Sequence, residues 1–414
     1  MNAPAASADV RRANLSLVLR HIEAHGPCAR TEIAAATGLA HASVTAMVAD
    51  LAERGLVRET GAGAPGGRGR PRRLLRVVHG RVWTVAVQVT HDMIRLRATD
   101  LSGATVHTED TPHGAPFGDP GPVAREIGST VARAVEQAGG AHLGLVVIAV
   151  PGAVINGKVG HAIGLGWRTT DLTALVAAQL PHVDCPIEVV NEANMAALAE
   201  YHALTAEGAT HPDTVVYVTA HAGVGGCLLI GGRVHHGSHG MAGEVGHVPV
   251  SLDGPPCRCG SRGCLNTYLR LQALTRAAGI PEGTGGPAPA AARAELNRRL
   301  RAGDERARAA LDTAGHALGA ALLAVASVTD AGEAILGGHL ADWAPWLMPG
   351  IDARLIGRRT AIEHVRFAVS TGVLGADATL AGVVHVGREQ VLAMPAGVPM
   401  YTSMTMPTLP EAGA

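Results

Sequence analysis

Aromatic residues are scarce in this sequence: phenylalanine, tyrosine and tryptophan together make up 2% of its 414 residues. Any hydrophobic core must therefore be built mainly from alanine, valine and leucine. Charged residues are also few, at 17%, but apolar residues reach 47%, which excludes an intrinsically disordered chain. A chain of this length exceeds what one ordinary core can bury, so we expect two or three domains.

Long apolar segments are missing as well. The start, MNAPAASADVRRANL, has no apolar h-region, and the apolar run at 317–328 is too short to cross a bilayer. We therefore expect a cytoplasmic protein with no membrane partner. In a reducing cytoplasm, the three clustered cysteines of CRCGSRGCLN (257–266) favour metal binding over disulfides. The other cysteines stand alone and are predicted to be small core residues: Cys28, Cys185 and Cys227.

Positive charge is concentrated at the front of the chain. Residues 1–80 contain 11 arginines and no lysine against 6 acidic residues, a local charge of +5. The remaining 334 residues hold 23 basic against 29 acidic side chains, so they carry −6 of the total charge of −1. A basic front on an acidic body predicts that the front meets an anionic partner.

The first 80 residues have the pattern of a helix-turn-helix. Apolar residues recur at helical spacing over 14–26, a second helix begins near Thr31, and Gly38 provides the turn before a third helix. In this motif the helix after the turn enters the major groove of DNA. The predicted contacts from the helices are Thr31, His41, Ala42, Ser43 and Thr45.

The segment GLVRETGAGAPGGRGRPRRLLRVV follows, which we interpret as two strands around a Gly-rich hairpin, a wing. Its arginines stand on a Gly/Pro support with no acid nearby, and are predicted to reach phosphates or the minor groove: Arg68, Arg70, Arg72 and Arg73. The alternatives are a helical domain with a solvated basic loop, or a protein-docking module. The order of helix pair, wing and arginines favours double-stranded operator DNA.

Strands and helices alternate from residue 81 onward, which predicts an α/β body of two lobes with a cleft between them. The segment 280–295 has the composition of a loop insertion, and 394–414 that of a flexible tail. The predicted strands and helices include 82–89, 93–100, 122–139, 143–152, 171–180, 186–194, 214–234 and 333–342.

Several strings closely resemble the ROK family (repressors, open reading frames and sugar kinases): GEVGHV, CRCGSRGCLNTY, NEANMAALAE, PGAVINGKVGHAIGLGW and LGADATLAG. With the winged helix in front, the resemblance covers almost the whole chain and points to the transcription-regulator branch of the family. It implies an α/β fold in which the winged helix-turn-helix precedes a two-lobed, actin-like and ribonuclease-H-like body of the ATPase type.

The resemblance also sets the expected domain limits. The winged helix occupies 1–80, and the first lobe 81–190 is completed by 375–393. The second lobe, with the metal site, spans 191–374, and 394–414 is the tail.

One structural zinc ion per chain is implied by the resemblance, with four ligands: His247, Cys257, Cys259 and Cys264. The residue types agree, because three thiolates and one imidazole form a closed tetrahedral set that leaves no position for an activated water. Gly260 and Gly263 supply the turns that such a short loop needs. The alternative for the three cysteines is a redox-sensitive thiol switch.

Kinases of the family need a phosphate loop of the form D-x-G-G-T, and that loop is altered here. The corresponding positions hold Gln88, Thr90, His91 and Asp92, which bring bulk and a negative charge where glycines should approach phosphate. The catalytic aspartate of the kinases is replaced by Glu192. We therefore expect a protein that is not an enzyme.

A sugar site is also implied, lined by Asn191, Glu192, Glu244, His247 and Asn266. Asn266 stands where the family usually has glutamate, and Gly164 where it usually has asparagine. Buried polar sites discriminate sharply between ligands, so a preference for glucose does not follow. The alternative is a hydrogen-bond network that only holds the cleft shut.

We therefore predict a DNA-binding transcriptional regulator, a repressor, whose kinase-inactive body senses a sugar or a sugar derivative. A homodimer or homotetramer would present two winged helices to an inverted-repeat operator. Two alternatives remain: an active sugar kinase with an accessory DNA-binding domain, and a DNA-binding protein that responds to no effector and whose body is only a dimerisation scaffold.

Overall fold

The computed structural model of the protein describes residues 7–60, 73–139, 141–221, 223–281, 289–361 and 367–401. Its N-terminal part, called the head below, is a three-helix unit with a small antiparallel sheet of order β1-β3-β2. The elements of the head are α1 (Ser7–His25), β1 (Cys28–Ala29), α2 (Arg30–Thr37), α3 (His41–Glu53), β2 (Val57–Thr60) and β3 (Leu74–Val77).

The head is a winged helix, as predicted. Gly38 adopts a left-handed conformation with φ of 72° at the end of α2, which glycine does without a steric penalty. The chain bends by 117° between α2 and α3. Val44, Val48 and Leu51 of α3 are buried against α1, which confirms their predicted inward orientation.

A five-stranded sheet of order β11-β7-β4-β5-β6 forms the first lobe of the body, together with a small sheet of order β10-β9-β8. Its elements are β4 (Val82–Val89), β5 (Met93–Asp100), β6 (Thr105–Pro112), α4 (Gly121–Gln137), β7 (His142–Val150), β8 (Ala153–Ile155), β9 (Lys158–Ala162), β10 (Trp167–Thr170), α5 (Leu172–Ala177) and β11 (Ile187–Asn191).

The second lobe is built on a sheet of order β14-β13-β12-β15-β16. The elements from α6 to the end are α6 (Glu192–Ala206), β12 (Thr214–Ala220), β13 (Val224–Ile230), β14 (Arg233–Val234), α7 (Asn266–Leu269), α8 (Leu271–Ala277), α9 (Pro289–Arg301), α10 (Glu305–Thr329), β15 (Glu333–Gly338), α11 (His339–Ala361), β16 (Ala368–Thr371) and α12 (Ala378–Ala393).

The two large sheets share one topology. If the strands of each sheet are numbered in chain order, both sheets run 3-2-1-4-5. In each sheet the first three strands are antiparallel, and the last two run parallel to the first. This repeated arrangement confirms the predicted α/β body with two actin-like, ribonuclease-H-like lobes.

The segment 280–295, predicted to be a loop insertion, is helical in its second part. Residues 282–288 lie outside the described part of the chain, but α9 begins at Pro289. Ala292, Leu296 and Leu300 recur every four residues along this helix and are buried, the two leucines in the core of the second lobe. The helix forms because this apolar stripe packs, although the sequence around it is rich in glycine and proline.

The start of the predicted tail is ordered and packs against the head. Val398 is buried in the core of the head, and Arg54 donates hydrogen bonds to the carbonyl oxygens of Ala396, at 2.8 Å, and of Val398. The backbone N–H of Tyr401 donates to the carbonyl oxygen of Glu53 at 2.7 Å. The rest of the predicted tail, 402–414, lies outside the described residues.

Helix α10 is the one described helix long and apolar enough on its own to cross a bilayer, and the bent pair α2–α3 passes the same test only if taken as one span. The most apolar window of α10 is 56% buried within the protein. Its buried residues, among them Leu311, Leu318 and Leu322, belong to the core of the second lobe. This burial is typical of a core helix.

Candidate functional site

Four predicted metal ligands come together in one cluster. The Nδ1 or Nε2 of His247 and the Sγ atoms of Cys257, Cys259 and Cys264 all lie within 4.8 Å of one another. The sulfurs of Cys259 and Cys264 are 3.7 Å apart, and Cys257 Sγ is 3.7 Å from His247 Nδ1. Tetrahedral zinc with Zn–S bonds of about 2.3 Å separates its ligand sulfurs by about 3.8 Å, so the donor set and its spacing fit this metal.

The cysteine loop is closed by backbone contacts that require glycine. Gly260 and Gly263 have φ of 97° and 63°, and a Cβ at Gly263 would overlap the carbonyl oxygen of Ser251. The backbone N–H of Gly260 donates to the carbonyl oxygen of Cys257 at 3.0 Å. Cys264 is buried, whereas Cys259 is exposed at the rim of the loop.

A short 3₁₀ turn links the metal cluster to the predicted effector position. It spans Val245–His247, and Glu244 immediately precedes it. Burial raises the pKa of Glu244. Burial, helped by the nearby His161, lowers the pKa of His247, which favours the neutral imidazole that binds metal. His161, on β9, was not among the predicted site residues, although it lies in PGAVINGKVGHAIGLGW, one of the strings that resemble the ROK family.

Asn191 and Glu192 stand where β11 ends and α6 begins. The Asn191 amide donates to the carbonyl oxygen of Gly152 at 2.7 Å, and its Oδ1 accepts from the backbone N–H of Asn194 at 3.0 Å, which caps α6. Burial raises the pKa of Glu192 to about 7, and neighbouring Gln88 opposes this shift. This shift favours the protonated carboxyl of Glu192 in the pH range where an exposed glutamate is ionised.

The side chain of Asn266 binds the backbone of the second sheet. Its Oδ1 accepts a hydrogen bond of 3.1 Å from the backbone N–H of Val224, at the start of β13. Within the described residues, no hydrogen bond joins the side chains of the five predicted effector residues to one another. Asn191 and Glu192 lie at one strand end, Glu244 and His247 lie in the loop beside the metal cluster, and Asn266 is fixed to the second sheet.

The predicted DNA contacts of the helices lie on the surface. Thr31 at the start of α2 is exposed, as are His41, Ala42 and Thr45 on the first turns of α3, while Ser43 is half-buried. The Thr45 hydroxyl donates to the carbonyl oxygen of His41 at 2.9 Å. The first turn of α3 is therefore accessible to a groove of DNA.

The wing differs from the prediction at one of its four arginines. Arg73 was expected to have no acid nearby, but its Nη1 lies 2.6 Å from Oε2 of Glu59 on the paired strand β2. Glu59 also binds Arg30 at 2.8 Å. The antiparallel pairing of β2 with β3 brings these residues together across 14 positions of sequence. The other three arginines lie outside the described residues: Arg68, Arg70 and Arg72.

The chain is similar in sequence to two protein families and to several known proteins. The profile of the ROK family matches residues 84–385, and that of the MarR family matches residues 16–68. A transcriptional regulator of Mycobacterium tuberculosis is 30% identical over 346 residues, covering 81% of this chain and 76% of that protein. The xylose repressor of Bacillus subtilis is 28% identical over 276 residues, covering 64% and 68%.

Solved structures of similar fold include a ROK family transcriptional regulator, a homologue of the Escherichia coli MLC protein. It has a TM-score of 0.75 at 22% identity, over 94% of this chain and 99% of that one, a likeness of fold alone. A ROK glucokinase from Streptomyces griseus, solved with glucose and AMPPNP, has a TM-score of 0.59 at 27% identity, over 74% and 99%. The chain belongs to the ROK family and carries a MarR-like winged helix at its N-terminus.

Proposed function

We propose that this protein is a cytoplasmic transcriptional repressor that binds operator DNA through its head and senses a sugar or sugar derivative in its body. The observation that carries the proposal is a winged helix with an exposed start of α3, packed onto a complete two-lobed ROK body. The names of its relatives, a xylose repressor and a transcriptional regulator, support the same function.

DNA binding rests on the head. Its helix after the turn exposes His41, Ala42 and Thr45 at its start, and the arginines of the wing supply positive charge for phosphates. A homodimer or homotetramer would place two heads on an inverted repeat, because a twofold assembly matches a palindromic site. We propose that Arg68, Arg70 and Arg72 also contact the DNA, as the sequence predicts.

The body is proposed to be inactive as a kinase. Thr90, His91 and Asp92 form the turn after β4, where Thr90 Oγ1 donates to Asp92 Oδ1 at 3.1 Å and the Thr90 N–H donates to the Met93 carbonyl oxygen at 2.8 Å. These bonds occupy groups that a phosphate loop would offer to ATP. A glutamate with a raised pKa, Glu192, replaces the catalytic aspartate of the kinases.

The effector is proposed to lie between the lobes, beside the metal cluster. Asn191, Glu192, Glu244 and His247 provide donors and acceptors suited to vicinal hydroxyls, whereas Asn266 acts by fixing β13. One structural zinc ion per chain would hold the turn that carries Glu244 and His247. It is proposed to stabilise the pocket, because its four protein ligands leave no open position.

We propose the same domain limits that the sequence predicts. The head spans 1–80, the first lobe 81–190 with 375–393, and the second lobe 191–374. The segment 394–414 follows, and its first residues contact the head.

The experiment that tests the function is an operator-release assay. The purified protein is bound to its own promoter DNA, and a panel of sugars, sugar phosphates and amino sugars is added while binding is measured by fluorescence anisotropy. We expect one class of sugar to change operator affinity, and Glu244→Gln to remove the response. Glu207→Gln, an exposed change at the end of α6, serves as the matched control and should respond like the wild type.

Two outcomes would favour the alternatives. Consumption of ATP with any sugar of the panel would show an active kinase and contradict the proposal. Tight operator binding that no sugar alters, together with an unchanged melting temperature, would show an effector-independent DNA-binding protein.

A further inference from the structure

Phe117 is an exposed aromatic side chain of the first lobe. It is 69% exposed, whereas Phe367, the other phenylalanine of the chain, is buried. A single exposed apolar side chain is common on protein surfaces and needs no explanation by itself. The surroundings of Phe117, described next, distinguish it from such a residue.

The loop of Phe117 lies at the same edge of the first sheet as the predicted effector residue Asn191. β4, β7 and β11 pair in parallel, and β5 is antiparallel to both β4 and β6, so β4, β6, β7 and β11 all run in one direction. Asn191 ends β11, and the loop of Phe117 follows β6. Ligands of α/β proteins commonly bind at the carboxyl ends of such strands.

Hydrogen bonds fix the loop 113–120 to its surroundings. Nε2 of His113 donates to the carbonyl oxygen of Thr90 at 3.2 Å. The backbone N–H of Gly118 donates to the carbonyl oxygen of Leu165 at 2.9 Å. These bonds join the loop to the turn after β4 and to the turn between β9 and β10. The ring of Phe117 is therefore held in place while most of its surface stays open to solvent.

A cavity of about 80 Å³ opens beside this ring. The ring packs against Gly166, where φ is 75° and a Cβ would lie 2.6 Å from Cε1 of Phe117. Trp167, the next residue, is buried. Rings supply much of the cavity wall, which favours a flat, apolar group as its occupant. The lining includes His91, His113, Phe117, Asp119, Gly164 and Trp167.

Gly164 leaves room in the cavity. A Cβ at Gly164 would meet no atom within 4 Å, and the φ of this residue lies outside the left-handed region. The backbone of the turn therefore does not require glycine here. The missing side chain adds space at the wall opposite no other group, and a larger residue would fill that space without disturbing the fold.

One wall of the cavity leads back to Asn191. The Asn191 amide donates to the carbonyl oxygen of Gly152. Gly152 in turn packs against β9, since a Cβ on it would lie 2.7 Å from Cα of Ala162. Ala162 ends β9 and stands two residues before Gly164. The turn that lines the cavity is therefore supported by the same segment that Asn191 binds.

The turn after β4 leads back to Glu192. Gln88, near the end of β4, forms a side-chain hydrogen bond with Glu192. His91 of the cavity follows Gln88 by three residues. Two walls of the cavity thus begin at neighbours of the predicted effector residues. A sugar held by Asn191 and Glu192 would direct a substituent along the sheet edge towards Phe117.

We propose that Phe117 and the cavity beside it bind an aryl group linked to the sugar, so that the effector is an aryl glycoside. The ring of Phe117 stacks on the aryl group, and the cavity shields that group from water. This inference rests on the proposed sugar sensing and deepens it, because it names the class of sugar derivative.

Calorimetric titration of the full chain measures the site. For glucose, galactose, mannose and xylose, the titrants are the free sugar, its methyl glycoside and its phenyl glycoside. We expect the phenyl glycoside of one of these sugars to bind about tenfold more tightly than its methyl glycoside, because the phenyl group buries apolar surface against an aromatic ring. The readout is the ratio of these two affinities.

Three variants test the assignment to Phe117. Phe117→Ala should reduce the ratio to about one, and Phe117→Tyr should keep it, because tyrosine retains the ring. Gly164→Leu should lower the ratio by filling the cavity. Val328→Ala is the matched control, since Val328 is an apolar residue of α10 that is 87% exposed, and its ratio should equal that of the wild type. Circular dichroism confirms that each variant is folded.

The outcomes separate this proposal from the proposed function. A ratio near one in the wild type for every sugar that binds overturns the proposal, as does a ratio that Phe117→Ala or Gly164→Leu leaves unchanged. If free sugars bind and alter operator affinity but the phenyl group adds nothing, this inference alone fails. If none of the titrants binds, the proposed sugar sensing fails and this inference fails with it.

Discussion

Arg20 and Glu389 join the head to the last helix of the body. Nη1 of Arg20 in α1 lies 2.5 Å from Oε2 of Glu389 in α12, and Nη2 donates to the Glu389 carbonyl oxygen at 3.1 Å. The Ser16 hydroxyl donates to the carbonyl oxygen of Leu392 at 2.8 Å. α12 also packs along α6, the helix that begins at Glu192. One helix therefore contacts both the head and the helix that begins at the predicted effector residue Glu192.

Removing the contacts between head and body should separate their unfolding. In the double variant Ser16→Ala/Arg20→Ala, the head loses its bonds to Leu392 and Glu389 of α12. Because these side chains are partly exposed, we expect a loss of about 1 kcal/mol for each residue. Scanning calorimetry should show a separate, earlier transition of the head. Arg12→Ala, whose partner Asp9 lies in α1 itself, should leave the profile unchanged, and an unaltered profile in the double variant would contradict the coupling.

The cysteine cluster should hold one zinc ion per chain by elemental analysis. Cys259→Ser should lower the zinc content well below one and reduce the melting temperature, because metal binding contributes to folding free energy. Removing the metal from the wild type with a chelator should also lower the melting temperature. Cys185→Ser, outside the cluster, should retain full zinc. A wild-type chain that is metal-free and equally stable with and without a chelator would refute the assignment.

The arginines of the wing should set the salt dependence of DNA binding. Arg68→Ala/Arg70→Ala should weaken operator binding and reduce the slope of log K against log salt by about 2, because each arginine is expected to neutralise one phosphate. Fluorescence anisotropy at several salt concentrations measures this slope. Arg298→Ala, an exposed arginine of the body, is the control. An unchanged slope in the double variant would argue against phosphate binding by the wing.

Glu192 should make stability fall as the pH rises. Burial raises its pKa to about 7 from an ordinary value of 4.5, so the folded state prefers the protonated carboxyl. The stability gained in this way is complete below about pH 4.5 and is lost as the pH rises through 7. Between pH 5 and 8 we expect the free energy of unfolding of the wild type to drop by about 2 kcal/mol relative to Glu192→Gln, measured by urea denaturation. Parallel curves for the two proteins would rule this out, and Glu207→Gln should behave like the wild type.

Local patterns in the sequence predicted much of the fold. The β-rich runs at 82–89 and 93–100 have the same limits as β4 and β5, because their apolar and β-branched residues are largely buried in the first sheet. The metal cluster was also predicted: the three cysteines within eight residues favoured a metal site, and the family resemblance added His247, ten residues before them.

Contacts between distant segments could not be predicted. Arg73 pairs with Glu59 because of strand register, and Asn266 reaches Val224 across 42 positions. His221 and His339 are more than 100 positions apart and meet only because β12 and β15 are neighbours in the sheet. The helical part of 280–295 was missed because proline and glycine before it concealed a four-residue apolar repeat.

The burial of Val391, Leu392 and Val398 in the core of the head has a consequence for synthesis of the chain on the ribosome. The head is translated first, but these three side chains emerge some 300 residues later. Domains at the N-terminus usually fold as they emerge. Here part of the apolar core of the head comes from residues translated last, so the head can complete its packing only after the body has been made.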